Sequence, residues 1–131
     1  MLNVKLKKLP GWTTRRREIA SYYYERLSGL DMIVPTDQPF EKAVYHTFII
    51  QTGSRDELKN FLSAKQIDTK IHYPVPIHLQ DAAKYLGYRK GDFPVTENQT
   101  GTILSLPVYP ELTNDQVEYV ADTINNFFKR N

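Results

Sequence analysis

The chain contains no cysteine. Disulfides, thiolate nucleophiles and cysteine-held zinc are therefore excluded, while the redox compartment stays open. No apolar stretch approaches the roughly 18 residues that a membrane span needs. The opening segment, Met1 to Leu9, mixes lysines among its leucines and lacks the apolar core of a signal peptide. Together these absences lead us to expect a soluble, cytoplasmic protein with no membrane partner. The six glycines are scattered, so no glycine-rich phosphate loop exists, and no Gly-x-Ser-x-Gly elbow presents a nucleophilic serine. Only His46, His72 and His78 could seed a metal site, and the step from His72 to His78 across two prolines fits no common ligand spacing. Asn98-Gln99-Thr100 matches a glycosylation sequon, which chance explains in a chain without an export signal.

What remains is an ordinary globular composition: 131 residues, 40% hydrophobic and 12% aromatic, enough for one domain with a real core. The net charge of +2 is unevenly spread. Residues 1–30 hold seven Lys/Arg against Glu18 and Glu25, a surplus of +5, and residues 31–131 hold ten against thirteen acids, a deficit of 3. Arg15-Arg16-Arg17 followed by Tyr22-Tyr23-Tyr24 could suggest nucleic acid. Three successive helical positions fan around the helix and form no stripe, so a solvated or subunit-facing helix is the better reading, with no nucleic-acid partner.

The most distinctive stretch is Ile71-His72-Tyr73-Pro74-Val75-Pro76-Ile77-His78. Its prolines fix φ, remove two backbone donors and push Tyr73 and Val75 toward extended geometry. A stiff arm should leave the end of a strand here, with polar side chains held for binding at little entropic cost. The alternative is a rigid crossover loop with two surface histidines.

Leu2, Leu6 and Leu9 recur at helical spacing, and so do Ile19, Tyr23, Leu27 and Leu30. We expect helices over 1–9 and 13–28, or one helix kinked near Pro10, stopped at Gly29. Short strands are expected over 32–34, 67–73 and 103–106, with the strongest over 44–51. In that strand His46 would share an apolar face with Val44, Phe48 and Ile50, as a hydrogen-bonded core residue more readily than a catalyst. Ser54 to Glu57 and Thr113 to Gln116 read as capping boxes, each opening an amphipathic helix. Short helices are expected over 80–86 and 94–101. The order is α, β, β, α, β, short α, α, β, α, without repeated βαβ units. It favours an α+β fold, a small, mainly antiparallel sheet with helices packed on one face. By these tests the chain offers a pocket wall and no complete catalytic set.

Five motifs then occur in succession: Trp12-Thr13-Thr14-Arg15-Arg16-Arg17-Glu18-Ile19-Ala20, Tyr45-His46-Thr47-Phe48-Ile49-Ile50, Ile71 to Gln80, Gly91-Asp92-Phe93-Pro94-Val95-Thr96-Glu97, and Leu104-Ser105-Leu106-Pro107-Val108-Tyr109-Pro110-Glu111-Leu112-Thr113. The succession closely resembles the C-terminal part of the DegT/DnrJ/EryC1/StrS family of pyridoxal-phosphate-dependent sugar aminotransferases. The resemblance implies an aspartate-aminotransferase-like (fold type I) protein, with residues 1–30 as the linking helix and 31–131 as its small C-terminal domain. Family members are homodimers that move an amino group from an amino acid, usually glutamate, to a keto group on a nucleotide-linked sugar, in amino-sugar or polysaccharide biosynthesis. Their cofactor lysine lies in a large domain that has no counterpart here, so this chain alone is expected to hold no cofactor and to be inactive. By the same resemblance His72, Tyr73 and His78 border the substrate cleft, with His78 supporting the arm. Two alternatives remain: a pyridoxamine-dependent sugar dehydratase, and a non-catalytic regulatory or binding module. Exposed leucines at 2, 6 and 9 would favour self-association through the first helix.

Overall fold

The structure, a computed structural model, describes residues 2–130; Met1, Asn131 and the side chain of Leu2 lie outside the description. Helix α1 covers Leu2–Leu6 and α2 covers Leu9–Leu27. The break falls at Lys7 and Lys8, ahead of the expected kink. Pro10 stands in the first turn of α2, where a helix needs no backbone donor. Ile19, Ala20, Tyr23 and Leu27 repeat at helical spacing and are buried.

The sheet is shorter than expected. Strand β1 is Phe48–Gln51 and β2 is Ile103–Leu106, antiparallel with Phe48 opposite Leu106 and Gln51 opposite Ile103. The strands foreseen over 32–34 and 67–73 survive as single antiparallel bridges, Ile33 to Gln51 and Lys70 to Ser105, one on each outer edge. The strand foreseen over 44–51 loses its first half because Tyr45 takes φ +48°, which breaks the extended run. His46 is therefore exposed and not a core residue.

Helix α3, Arg55–Ala64, buries Leu58 and Leu62. Its expected capping box does not form. Ser54 sits at φ −90°, ψ 31°, outside the extended geometry of a capping serine. Residues 77–79 and 81–86 form two tight 3-10 turns, the second closed by left-handed Gly87 at φ +77°. Helix α4, Pro94–Thr102, leads straight into β2. Helix α5, Asn114–Phe128, opens on the predicted capping box: Thr113, at ψ 160°, accepts from the Gln116 amide, and the Gln116 side chain accepts from the Thr113 amide.

One core joins these pieces. Phe48, Ile50, Leu104 and Leu106 from one face of the sheet meet Ile19, Tyr23 and Leu27 of α2, Leu58 and Leu62 of α3, and Val117, Val120, Ala121, Ile124 and Phe127 of α5. The α+β expectation, a small antiparallel sheet with helices on one face, holds. Tyr23 crosses the core, lies tilted against Phe48 with ring centroids 5.2 Å apart, and donates its hydroxyl to the Pro107 carbonyl at 3.0 Å.

Candidate functional site

The arm begins at the Lys70–Ser105 rung, where each backbone N–H meets the other's carbonyl at 3.2 and 2.8 Å. Beyond that rung His72 turns its Nδ1 to the Ser105 hydroxyl at 2.9 Å. The His72–Tyr73 peptide is cis, and the two rings meet edge to face at 5.8 Å. Tyr73 is 71% exposed. The two residues thus stand side by side at the open margin of β2, with both polar groups able to meet a ligand.

His78 takes a different place. It is buried, lies against Phe93 at 4.8 Å, and its Nε2 is 3.0 Å from Glu97 Oε1. The same carboxylate accepts from the Gly91 amide at 2.8 Å and from the Phe93 amide at 3.4 Å. These bonds, the Gly91 amide foremost and His78 and Phe93 after it, hold the Glu97 carboxyl below its usual range. His78 and Glu97 fasten the arm to α4, so the structure brings His72 and Tyr73 together and sets His78 behind them.

A groove of about 790 Å³ runs along the edge of β2, between the 65–70 segment and the first half of α5. Ile67, Val108 and Leu112 give it an apolar floor, while Lys70, His72 and Tyr109 stand at its margin. His46 also reaches this groove, together with His72. Sequence reasoning had placed His46 in the core and had passed over Tyr109. The strand alternation pointed the wrong way for His46 because the turn at Tyr45 could not be read from the pattern.

The arginine triplet forms no stripe, as its spacing implies, and it is half-buried where a solvated or subunit-facing helix is the expectation. Arg16 Nη1 donates to the carbonyls of Val108, Tyr45 and His46 at 2.7, 3.2 and 3.2 Å. Arg15 donates to the Leu112 carbonyl at 2.7 Å and to Asn114 at 2.8 Å. Arg17 bonds the Ala43 carbonyl and pairs with Asp37 at 3.1 Å. Arg15 holds the segment after β2 to α2, Arg17 holds the segment before β1, and Arg16 holds both and fixes the backbone on which His46 sits. Asp37 in turn accepts from the Tyr45 hydroxyl at 2.6 Å; desolvation, and after it this bond, pushes the phenol up to about 12.

No lysine among the described residues is buried; Lys70 is exposed and paired with Asp68 at 2.9 Å. No group of three or more His, Asp or Glu converges on a possible metal position among those residues. No helix among them is long and apolar enough to cross a membrane. The arrangement can bind and orient a polar ligand. Among the described residues it offers no buried lysine, so burial does not activate an amine here.

Comparison with known proteins gives a consistent result. The sequence profile of the DegT/DnrJ/EryC1/StrS aminotransferase family matches residues 1–125. The dTDP-3-amino-3,4,6-trideoxy-alpha-D-glucose transaminase of Streptomyces venezuelae is 37% identical over 131 residues, covering 99% of this chain and 35% of that protein. The erythromycin biosynthesis sensory transduction protein EryC1 of Saccharopolyspora erythraea is 36% identical over 125 residues, covering 95% and 34%. The crystal structure of S. venezuelae DesV in complex with a ketimine intermediate superposes with a TM-score of 0.95 at 36% identity, over 99% of this chain and 35% of that one. The chain spans about a third of the length of the relatives it matches.

Proposed function

The chain belongs to the DegT/DnrJ/EryC1/StrS aminotransferase family, and we propose on that footing that it is the small C-terminal domain of a nucleotide-sugar aminotransferase. The whole enzyme would move an amino group from an amino acid, glutamate by first choice, to a keto group on a nucleotide-linked sugar. Residues 1–30 would link this domain to the cofactor-bearing one, and the enzyme would work as a homodimer in the cytoplasm, within amino-sugar or polysaccharide biosynthesis.

Pyridoxal phosphate is the cofactor this reading requires. When bound, it supplies the electron sink and the carrier of the amino group. The residues of this chain do not fit it: its lysines are exposed or, at Lys59, half-buried, and none is desolvated. The chain's own contribution is therefore binding and orientation.

The observation that carries the reading is the placement of His72 and Tyr73, side by side and open at the margin of β2. An imidazole and a phenol can each donate and accept, which suits a ligand rich in hydroxyl and phosphate oxygens. His78 contributes through the arm. In the full-length enzyme, His72→Ala and Tyr73→Phe should each lower kcat/KM for the sugar substrate while leaving the amino-donor KM unchanged. Sugar kinetics unaltered by both substitutions would remove the assignment.

A regulatory module is the second reading. It is favoured by the name of the relative called a sensory transduction protein. It predicts no amination by the gene product in any context.

A further inference from the structure

Ser105 is held from both sides. Its backbone pairs with Ile49 across β1 and with Lys70 on the outer edge of β2. Its neighbours Leu104 and Leu106 point into the core, so its side chain points to the opposite face, where His72 lies. Ser105 as a residue is 6% exposed. The hydroxyl has one proton to place, and a buried hydroxyl proton without an acceptor is costly.

Among the described residues the only partner of Ser105 Oγ is His72 Nδ1, at 2.9 Å. If Nδ1 carried the proton, Ser105 would accept it and its own hydroxyl proton would have no acceptor among the described residues. If Ser105 donates, both groups are satisfied. The Nδ1 lone pair then receives the hydroxyl proton, and the single proton of the neutral ring lies on Nε2. The ring itself is exposed at the margin of the groove, so the Nε2–H is open to a ligand.

We propose that Ser105 is a positioning residue whose buried hydroxyl donates to His72 Nδ1 and fixes the imidazole as its Nε2–H tautomer, which offers that proton to an acceptor oxygen of the sugar or phosphate. The ligand half of this inference rests on the substrate role given to His72 above. The pairing of Ser105 with His72 stands on the geometry alone. Nothing in the motif spacing distinguishes Ser105 from an ordinary strand serine; its burial and its single partner do.

Two measurements test it. In the 131-residue chain, long-range ¹H–¹⁵N spectra of the histidine rings, recorded at about pH 8 where an ordinary imidazole is neutral, should show His72 as the Nε2–H tautomer. Ser105→Ala should return that ring to a mixture, and Ser105→Thr, which keeps the hydroxyl, should restore it. In the full-length enzyme Ser105→Ala should raise the sugar KM about 3- to 10-fold, the worth of one hydrogen bond, with kcat and the amino-donor KM within about twofold. A merely structural role would move both KM values and kcat together and would not change the tautomer of a folded ring.

An Nδ1–H ring in the wild type, or tautomer populations unchanged by Ser105→Ala, overturns the role of Ser105, while impaired His72→Ala kinetics would still uphold the proposed function. An Nε2–H ring combined with unaltered His72→Ala kinetics overturns the substrate contact and the ligand half of the inference, leaving the Ser105–His72 pairing intact.

Discussion

His78 Nε2 and Glu97 Oε1 lie 3.0 Å apart, joining the proline-rich arm to the helix that feeds β2. Glu97 also collects the amides of Gly91 and Phe93, so one carboxylate fixes the arm and the turn ahead of α4. Because its pKa is lowered in the fold, its contribution is fully present above the unfolded value of 4.5 and is lost as pH falls through the lower folded value. The protection factors of the Gly91 and Phe93 amides, taken against intrinsic exchange at the same pH, should therefore fall on acidification below that value. Glu97→Gln should lower them at neutral pH and flatten the acid dependence.

Tyr45 and Tyr23 give the opposite limb. Burial pushes the Tyr23 phenol up, and desolvation and Asp37 do the same for Tyr45. A phenol whose folded pKa is raised contributes stability below its unfolded value of about 10, and that stability is lost as pH rises through the folded value. Spectrophotometric titration should find fewer than the chain's nine tyrosines ionised before alkaline unfolding, with Tyr23 and Tyr45 ionising last. Tyr45→Phe removes the hydroxyl that does most to lower the Asp37 pKa, so the Asp37 carboxyl should then titrate at higher pH in ¹³C spectra.

Arg16→Lys tests the loop anchors. A lysine carries the charge, but its shorter side chain does not bring the ammonium to the point from which Arg16 Nη1 meets the Val108, Tyr45 and His46 carbonyls together. A loss of about 1–3 kcal/mol in urea unfolding is expected. New chemical shifts should centre on residues 45–46 and 108, near His46 in the groove. A neutral Arg16→Lys would mean that the guanidinium bonds are exchanged for water at no cost.

In the core, Leu58→Ala, at a side chain with no exposed surface, should cost about 2–5 kcal/mol in the same assay. Tyr23→Phe should cost about 1–2 kcal/mol, because it leaves the Pro107 carbonyl without its donor.

The first helix presents Val4 and Leu6 at 68% and 62% exposure, with Leu9 half-exposed at the start of α2. Sedimentation of the 131-residue chain should show concentration-dependent association, and Leu6→Glu with Leu9→Glu should abolish it. A monomer at all concentrations would count against this face as a contact.

Local chemistry made much of this fold legible. The Thr113 box, the apolar stripe of α5, and the short apolar strand at 103–106 stand where their residues put them. Each depends on neighbours within one turn or one pleat. The failures share a different cause. Tyr45 left the strand pattern while Arg16, 29 residues earlier, holds its carbonyl and Asp37 its hydroxyl. The burial of the arginines is not legible in the sequence because their acceptors, mostly backbone carbonyls, are distant along the chain, which no local side-chain pattern encodes. In the candidate site, the proline arm marked out His72 and Tyr73, but the burial of His78 against Phe93 and Glu97, and the partner of Ser105, are tertiary facts.

We propose that this chain forms a substrate-binding wall and does not itself hold the cofactor. The purified 131 residues can be incubated with pyridoxal phosphate, reduced with borohydride and mapped for the label by mass spectrometry. Sparse labelling spread over exposed lysines is expected, with no amination of a keto-sugar nucleotide in the presence of glutamate. Stoichiometric labelling of one lysine, together with formation of the amino sugar, would overturn the proposal.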